Sequence, residues 1–280
     1  MNAGSAAGML RAMTDRDFLW LAEFFFVASG AVTWLRWRIR EAAGSLHRAN
    51  YLAMLTGFLL QTAFLYLRGL AVGRCPLTNA FETTAFVAWG ATLFYLLIGP
   101  TYRVSFLGAF TAPVVLGINA IALFFLNDTP HLALKHSPWV DFHAAIGILA
   151  AGGFALAAVV AGMYLRQERQ LKSHRPARTF FLLPAIEHLE VISARLVTVG
   201  FLLLTVGMLG GVIAHHKVGP WTPGKTAWSV AVWLAFGGML AARRAGRLRG
   251  RRWARLVIAL FVWMLVTFWL VGLAPEPLQP

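Results

Sequence analysis

The chain is 280 residues long, 59% hydrophobic and only 13% charged, with a mean hydropathy of +0.66 and a net charge of +14. That composition leaves too little polar surface to cover a soluble globule of this size and points to a polytopic membrane protein. The basic excess does not indicate nucleic-acid binding, because the arginines and lysines sit in short loops between apolar runs, where they anchor topology.

Mostly apolar windows of roughly 17 to 25 residues, the length that spans about 30 Å of hydrocarbon, fall near residues 17–35, 50–71, 80–98, 104–126, 139–165, 192–214, 226–242 and 253–273. They lack the period-2 alternation of barrel strands, and lipid offers the backbone no hydrogen-bond partners, so each is predicted to be a helix. The expected fold is an all-α membrane bundle of about eight transmembrane helices, one integral domain over residues 1–280 with no soluble module and no strong repeat. Between Arg166 and about Val191 the sequence predicts one longer loop with a short interfacial helix entered at Pro184.

Alternate loops carry Arg36, Arg38, Arg40 and Arg48; then Arg103; then Arg166, Arg169, Lys172, Arg175 and Arg178; then the run from Arg243 to Arg255. The opposite side holds Arg11, Arg16, Arg68, Arg74, Lys135, Lys217 and Lys225. The positive-inside rule then puts the Arg-rich loops in the cytoplasm and both termini outside. Residues 1–16 contain no apolar core followed by a cleavage site, so the first span is expected to be retained, in a plasma (bacterial inner) membrane. Cys75 is the single cysteine. It excludes an intramolecular disulfide, thiol exchange through C-x-x-C and covalent haem attachment through C-x-x-C-H.

The richest stretch runs from Gly210 to Leu234, GGVIAHHKVGPWTPGKTAWSVAVWL. Histidine nitrogens beside flat indole faces can hold an iron porphyrin. His215 and His216 end the sixth span about 100° apart on the helix, so at most one is expected to face a shared site. Trp221 and Trp228 equally suit an interfacial aromatic belt, whereas Trp233 lies further into its span. Lys217 and Lys225 suit pairing with carboxylates such as haem propionates, or snorkelling at the interface. His143 opens the fifth span and shares a helical face with Gly147, Ala150, Ala151 and Phe154, small enough to admit a planar cofactor or a second helix. Glu82 starts the third span, either as a site residue or as a helix-start charge with Thr78 or Asn79 capping. Glu23 and Arg195 are further intramembrane charges, and Gln61 and Asn119 are among the few deep polar side chains.

Together these residues resemble the cytochrome c assembly protein family, the CcsA and HemX type, marked by a tryptophan-rich "WWD" segment. Trp221, Pro223, Lys225, Trp228, Ser229, Trp233 and Leu234 match its W-D-P-K-E-x-W-S-x-x-x-W-L pattern with one extra residue, and Thr222 stands at the aspartate. Pro76 to Glu82 is similar to the family's P-x-x-N-x-x-E, His143 to its outer histidine, Tyr164 to Lys172 to its Y-L-x-x-E-x-x-L-K, and Arg247 to Ala254 to the basic run before its last helix. The resemblance covers roughly residues 45–270. It implies transient, non-covalent binding of haem b at the outer face, with His143 as one axial ligand, and His215 or His216 is expected to stand in as the second. The tryptophans would form a flat wall. It also implies presentation to another assembly subunit and to apocytochrome c, in a membrane lipid setting and without nucleic acid, the chain being at most a component of a haem lyase system. Two other readings remain: a HemX-like regulatory or scaffolding protein of tetrapyrrole metabolism, and a small-molecule permease.

Overall fold

A helix appears at every predicted span. The computed structural model describes residues 14–38, 43–101, 107–129, 137–172, 185–218 and 223–273. Its helices there are α1 (Asp15–Arg38), α2 (Ala43–Val72), α3 (Ala80–Thr101), α4 (Leu107–Phe125), α5 (Pro138–Lys172), α6 (Ile186–Val218), α7 (Pro223–Arg244) and α8 (Gly250–Leu273). Segments of five of them, Arg48–Val72, Ala80–Ile98, Pro138–Lys172, Ile186–His216 and Pro223–Arg244, are long and apolar enough to cross a membrane. The chain is a polytopic helical membrane protein.

Large apolar side chains on the outside fit a lipid solvent: Trp20, Phe24 and Val27 on α1, Leu202, Val206 and Leu209 on α6, and Val262, Val266 and Leu270 on α8 are exposed. Hydropathy separates an interfacial helix after Pro184 from a span starting near residue 192. The structure instead runs α6 unbroken from Ile186. Residues 186–199 contain neither Gly nor Pro, so nothing interrupts the helical ladder there.

The ends are fixed by local chemistry. At the close of α2, Gly73 takes φ 71° and the Arg74 amide donates to Gly69 O at 3.2 Å. This is the six-to-one closure of a Schellman cap, which needs a left-handed residue and so a glycine. At the start of α3, Asn79 Oδ1 accepts from the Glu82 amide at 2.8 Å, while Glu82 Oε2 accepts from the Thr78 amide at 2.7 Å and the Thr78 hydroxyl at 2.8 Å. Asparagine and glutamate three apart thus satisfy the orphan amides reciprocally.

The most extensive pairings are α5 with α6 and α1 with α2, and α3 lies against both α4 and α5, joining the halves. A Cβ on Gly152 would stand 2.6 Å from the Gly90 carbonyl carbon and 2.8 Å from the Ala91 nitrogen. Only hydrogen lets α3 and α5 cross backbone to backbone there. That crossing holds α3 and α5 as fixed walls for what lies between them and α6–α8.

Candidate functional site

Towards the end of the bundle that carries the α2–α3 turn and the heads of α5 and α7, the helices leave a cavity of about 230 Å³. His143, Gly147, Ala151 and Phe154 line it from α5, Gly207 and Met208 from α6, Trp228 and Val232 from α7, Met264 and Phe268 from α8, and Thr83 and Val87 from α3. The small-residue face of α5 meets open space at one position and a second helix at another. A Cβ on Gly147 would meet nothing within 4 Å, so that position faces open space. Opposite it, a Cβ on Gly207 would come 3.3 Å from Gly147 N and 3.5 Å from His143 O, so α6 closes in on α5. Ala150 is fully buried.

That close approach sets the histidine. His143 Nδ1 lies 2.6 Å from Gly207 O. A carbonyl oxygen only accepts, so Nδ1 carries the hydrogen and, in the neutral ring, Nε2 carries the lone pair. This is the arrangement by which a ligating imidazole is oriented and its tautomer fixed.

The α7 and α8 side is aromatic. Trp228 Nε1 donates to Thr267 Oγ1 at 2.8 Å, and its ring meets Phe268 at 5.6 Å between centroids. Deeper down, Phe154 and Phe236 stack at 3.8 Å, nearly parallel at 9°. Trp228 is therefore a rigid face of the cavity, its one polar atom already satisfied.

The other expected residues go elsewhere. Trp233 donates from Nε1 to Thr205 Oγ1 at 3.0 Å and lies against Phe201, tying α7 to α6 outside the cavity lining. Trp221 lies outside the described residues. Lys225 is exposed in the first turn of α7, where its carbonyl accepts from Ser229 Oγ at 3.0 Å. His215 and His216 are both exposed, with ring centroids 5.9 Å apart, and neither lines the cavity. The reason is angular: at 100° per residue, Ala214 falls on the face of Gly207, and the two histidines fall about 80° and 180° away from it. Ala214 is accordingly buried.

Glu82 is fully buried but turns to α2, where Arg68 Nε donates to its Oε1 at 2.8 Å. Arg68 also donates to Asp15 Oδ2 at 2.8 Å and to Asp128 O at 3.1 Å, and it pairs with the Asp128 carboxylate. The Phe81 ring lies beneath Arg16 and Arg68, at 5.5 and 6.0 Å. Four segments are thereby clamped at one end of the bundle.

Sequence reasoning missed this cluster, Thr267 as the partner of Trp228, and the thioethers of Met208 and Met264 in the cavity wall. Methionine on an apolar helix carries no motif. Arg68 and Glu82, by contrast, flank a short loop at matching depth, a signal that was available.

A multi-pass helical membrane protein with an imidazole, thioethers and an indole around an apolar hollow at one end is the class these features define. Residues 77–278 match the family described as cytochrome C assembly protein. Among its relatives are the cytochrome c biogenesis proteins CcsA of Synechococcus sp. strain CC9605, 30% identical over 78% of this chain and 82% of the relative, and of strain RCC307, 29% identical over 79% and 81%. The CcsA of Mesostigma viride is 26% identical over 73% and 76%. The chain belongs to the cytochrome c assembly protein family.

Proposed function

We propose that this protein handles haem for cytochrome c assembly: it holds haem b transiently and without a covalent bond beside His143, at the outer face of the plasma membrane. From there it presents the haem to another assembly subunit and to apocytochrome c. The observation that carries the reading is the His143 ring, fixed by Gly207 O in the wall of an apolar hollow faced by Trp228.

The donor set fits such a group. Among the described residues no three His, Cys, Asp or Glu side chains are grouped to hold a bare metal ion. An iron porphyrin brings four nitrogens of its own and asks only for axial donors and apolar contact. At about 230 Å³ the hollow is smaller than the roughly 300–1,000 Å³ of ordinary small-molecule sites. It accepts part of the ring, and admitting more requires the head of α7 to give way. Residues Pro223–Ala227 there are exposed.

In this reading His143 would hold the iron through its imidazole and Trp228 would offer the ring a flat wall. Lys225, with Trp221 nearby in sequence, meets the propionates at the mouth. Met264, whose side chain lines the hollow, would supply a second donor. His215 or His216 takes that place if the end of α6 turns inward, and Trp233 and Glu82 support the site through the helices they tie. The protein supplies binding, orientation and electrostatics, while redox and covalent chemistry belong to the haem and its partner.

The test is the visible spectrum of protein purified from haem-replete cells, before and after reduction. A Soret band in the wild type that His143→Ala removes is expected. No Soret band, or one indifferent to His143→Ala, contradicts the reading.

A second reading is HemX-like scaffolding of tetrapyrrole synthesis. It is favoured by a polar cleft lined by Glu187, Glu190, Arg243 and Arg249 at the Arg-rich end. It requires haem-free protein and a soluble enzyme recovered with it.

A further inference from the structure

A second polar centre lies in the half of the bundle away from the cavity. Glu23 on α1 is 8% exposed, and Asn119 on α4 and Gln61 on α2 are fully buried. Asn119 Nδ2 donates to Glu23 Oε1 at 2.6 Å, and Gln61 Nε2 donates to Asn119 Oδ1 at 3.1 Å and to Ala85 O on α3 at 2.9 Å. Three side chains and one backbone carbonyl thus join four helices around a single carboxyl.

The oxygens outnumber the donors. Gln61 Oε1 is buried and has no hydrogen-bond partner among the described residues. A buried acceptor left unpaired costs on the order of 1–3 kcal/mol. Glu23 has no Lys, Arg or His within 4 Å among the described residues. A carboxylate stripped of water without a cation costs several kcal/mol. Helix packing alone is served by amides, which make the same bonds without that cost, and an ionisable residue inside a span marks a functional position.

We propose that Glu23, Asn119 and Gln61 form a binding site for a small monovalent cation, the proton or sodium, inside the membrane span. The carboxyl supplies the charge, and the Gln61 and Asn119 oxygens supply the remaining lone pairs. Of the charged groups described on the elements packed around Glu23, Asp17 at the head of α1 is held by Thr14 and Arg48 is exposed near the start of α2; the others are Arg68 on α2, Glu82 on α3, Asp128 after α4, and Asp15 and Arg16 at the head of α1. They pair with one another at the end of the bundle. Arg68 lies seven residues from Gln61, about 10 Å along the helix. Glu23 and Gln61 precede residue 77, where the family match begins, and the site does not depend on the haem reading.

The test treats the intact protein in detergent with dicyclohexylcarbodiimide, followed by peptide mass spectrometry. A protonated carboxyl adds across one C=N bond of the reagent, its proton passes to nitrogen, and rearrangement leaves a stable N-acylurea. Labelling at Glu23 is expected to rise several-fold as pH falls from about 8 to about 6, and to be lost in Glu23→Gln, which keeps an oxygen for Asn119. A water-soluble carbodiimide is expected to leave Glu23 unlabelled. Slowing by sodium at constant pH assigns the site to sodium as well as the proton, and indifference to sodium restricts it to the proton. Glu23 unlabelled at every pH, or labelled equally by the water-soluble reagent, overturns the proposal. If Glu23→Gln does not fold, the pH, sodium and reagent comparisons on the wild type decide alone.

Discussion

Cys75 sits in the turn between α2 and α3, where its backbone amide donates to Asp141 Oδ2 at 3.4 Å. Burial first, then the negative charges of Asp141 and Glu82, push its thiol up to about 11. Only the thiolate attacks a maleimide. Labelling of Cys75 is therefore expected to be slow at pH 7, to climb about tenfold per pH unit through pH 10, and to level off only near pH 11. Asp141→Asn removes one of the opposing charges and moves that curve to lower pH. A wild-type profile that saturates by pH 9 contradicts this account of the thiol.

Two glycines five positions apart on α5 have opposite surroundings. Gly152 meets the backbone of α3, so Gly152→Ala is expected to cost about 1–3 kcal/mol by forcing the helices apart, read as a lower melting temperature in detergent. Gly147 faces open space in the cavity wall. Gly147→Leu is expected to keep the wild-type melting temperature and to lose haem uptake. Equal destabilisation by both, or normal uptake with leucine in place, contradicts the assignment of the two positions.

The same helix shows what the sequence discloses at this scale. The shared face of His143, Gly147, Ala150, Ala151 and Phe154 follows from helical periodicity alone. Which of those positions meets a helix and which meets a cavity depends on α3 and α6, far away in the chain. The unbroken start of α6 was equally hard to read, because charged Glu187 and Glu190 lower its hydropathy without lowering its helicity.

For the whole molecule, the spans were legible because twenty apolar residues have few fates outside lipid: among the described residues a helix lies at each, and five of those helices are long and apolar enough to cross a membrane. The side on which each loop lies rests on the Arg-rich loops. Thr129 follows α4, and Ala245 lies in the Arg-rich turn after α7. In a Cys75→Ser background, Thr129→Cys is expected to react with a membrane-impermeant maleimide in intact cells, and Ala245→Cys only after permeabilisation. The reverse pattern inverts the topology and moves the His143 end to the cytoplasm. What the sequence hid at this scale was convergence. His215 and His216 stand out in the sequence but lie on the outside of α6, whereas Met264, which no pattern marks, comes into the wall with His143.

On the haem reading, the imidazole of residue 143 is what draws iron into the hollow. Titrating haem into purified His143→Gly protein, with and without free imidazole, tests it most directly. Loss of the wild-type Soret band in the variant is expected, with its return when imidazole occupies the vacated space. A variant that binds haem with the wild-type spectrum and needs no imidazole contradicts it.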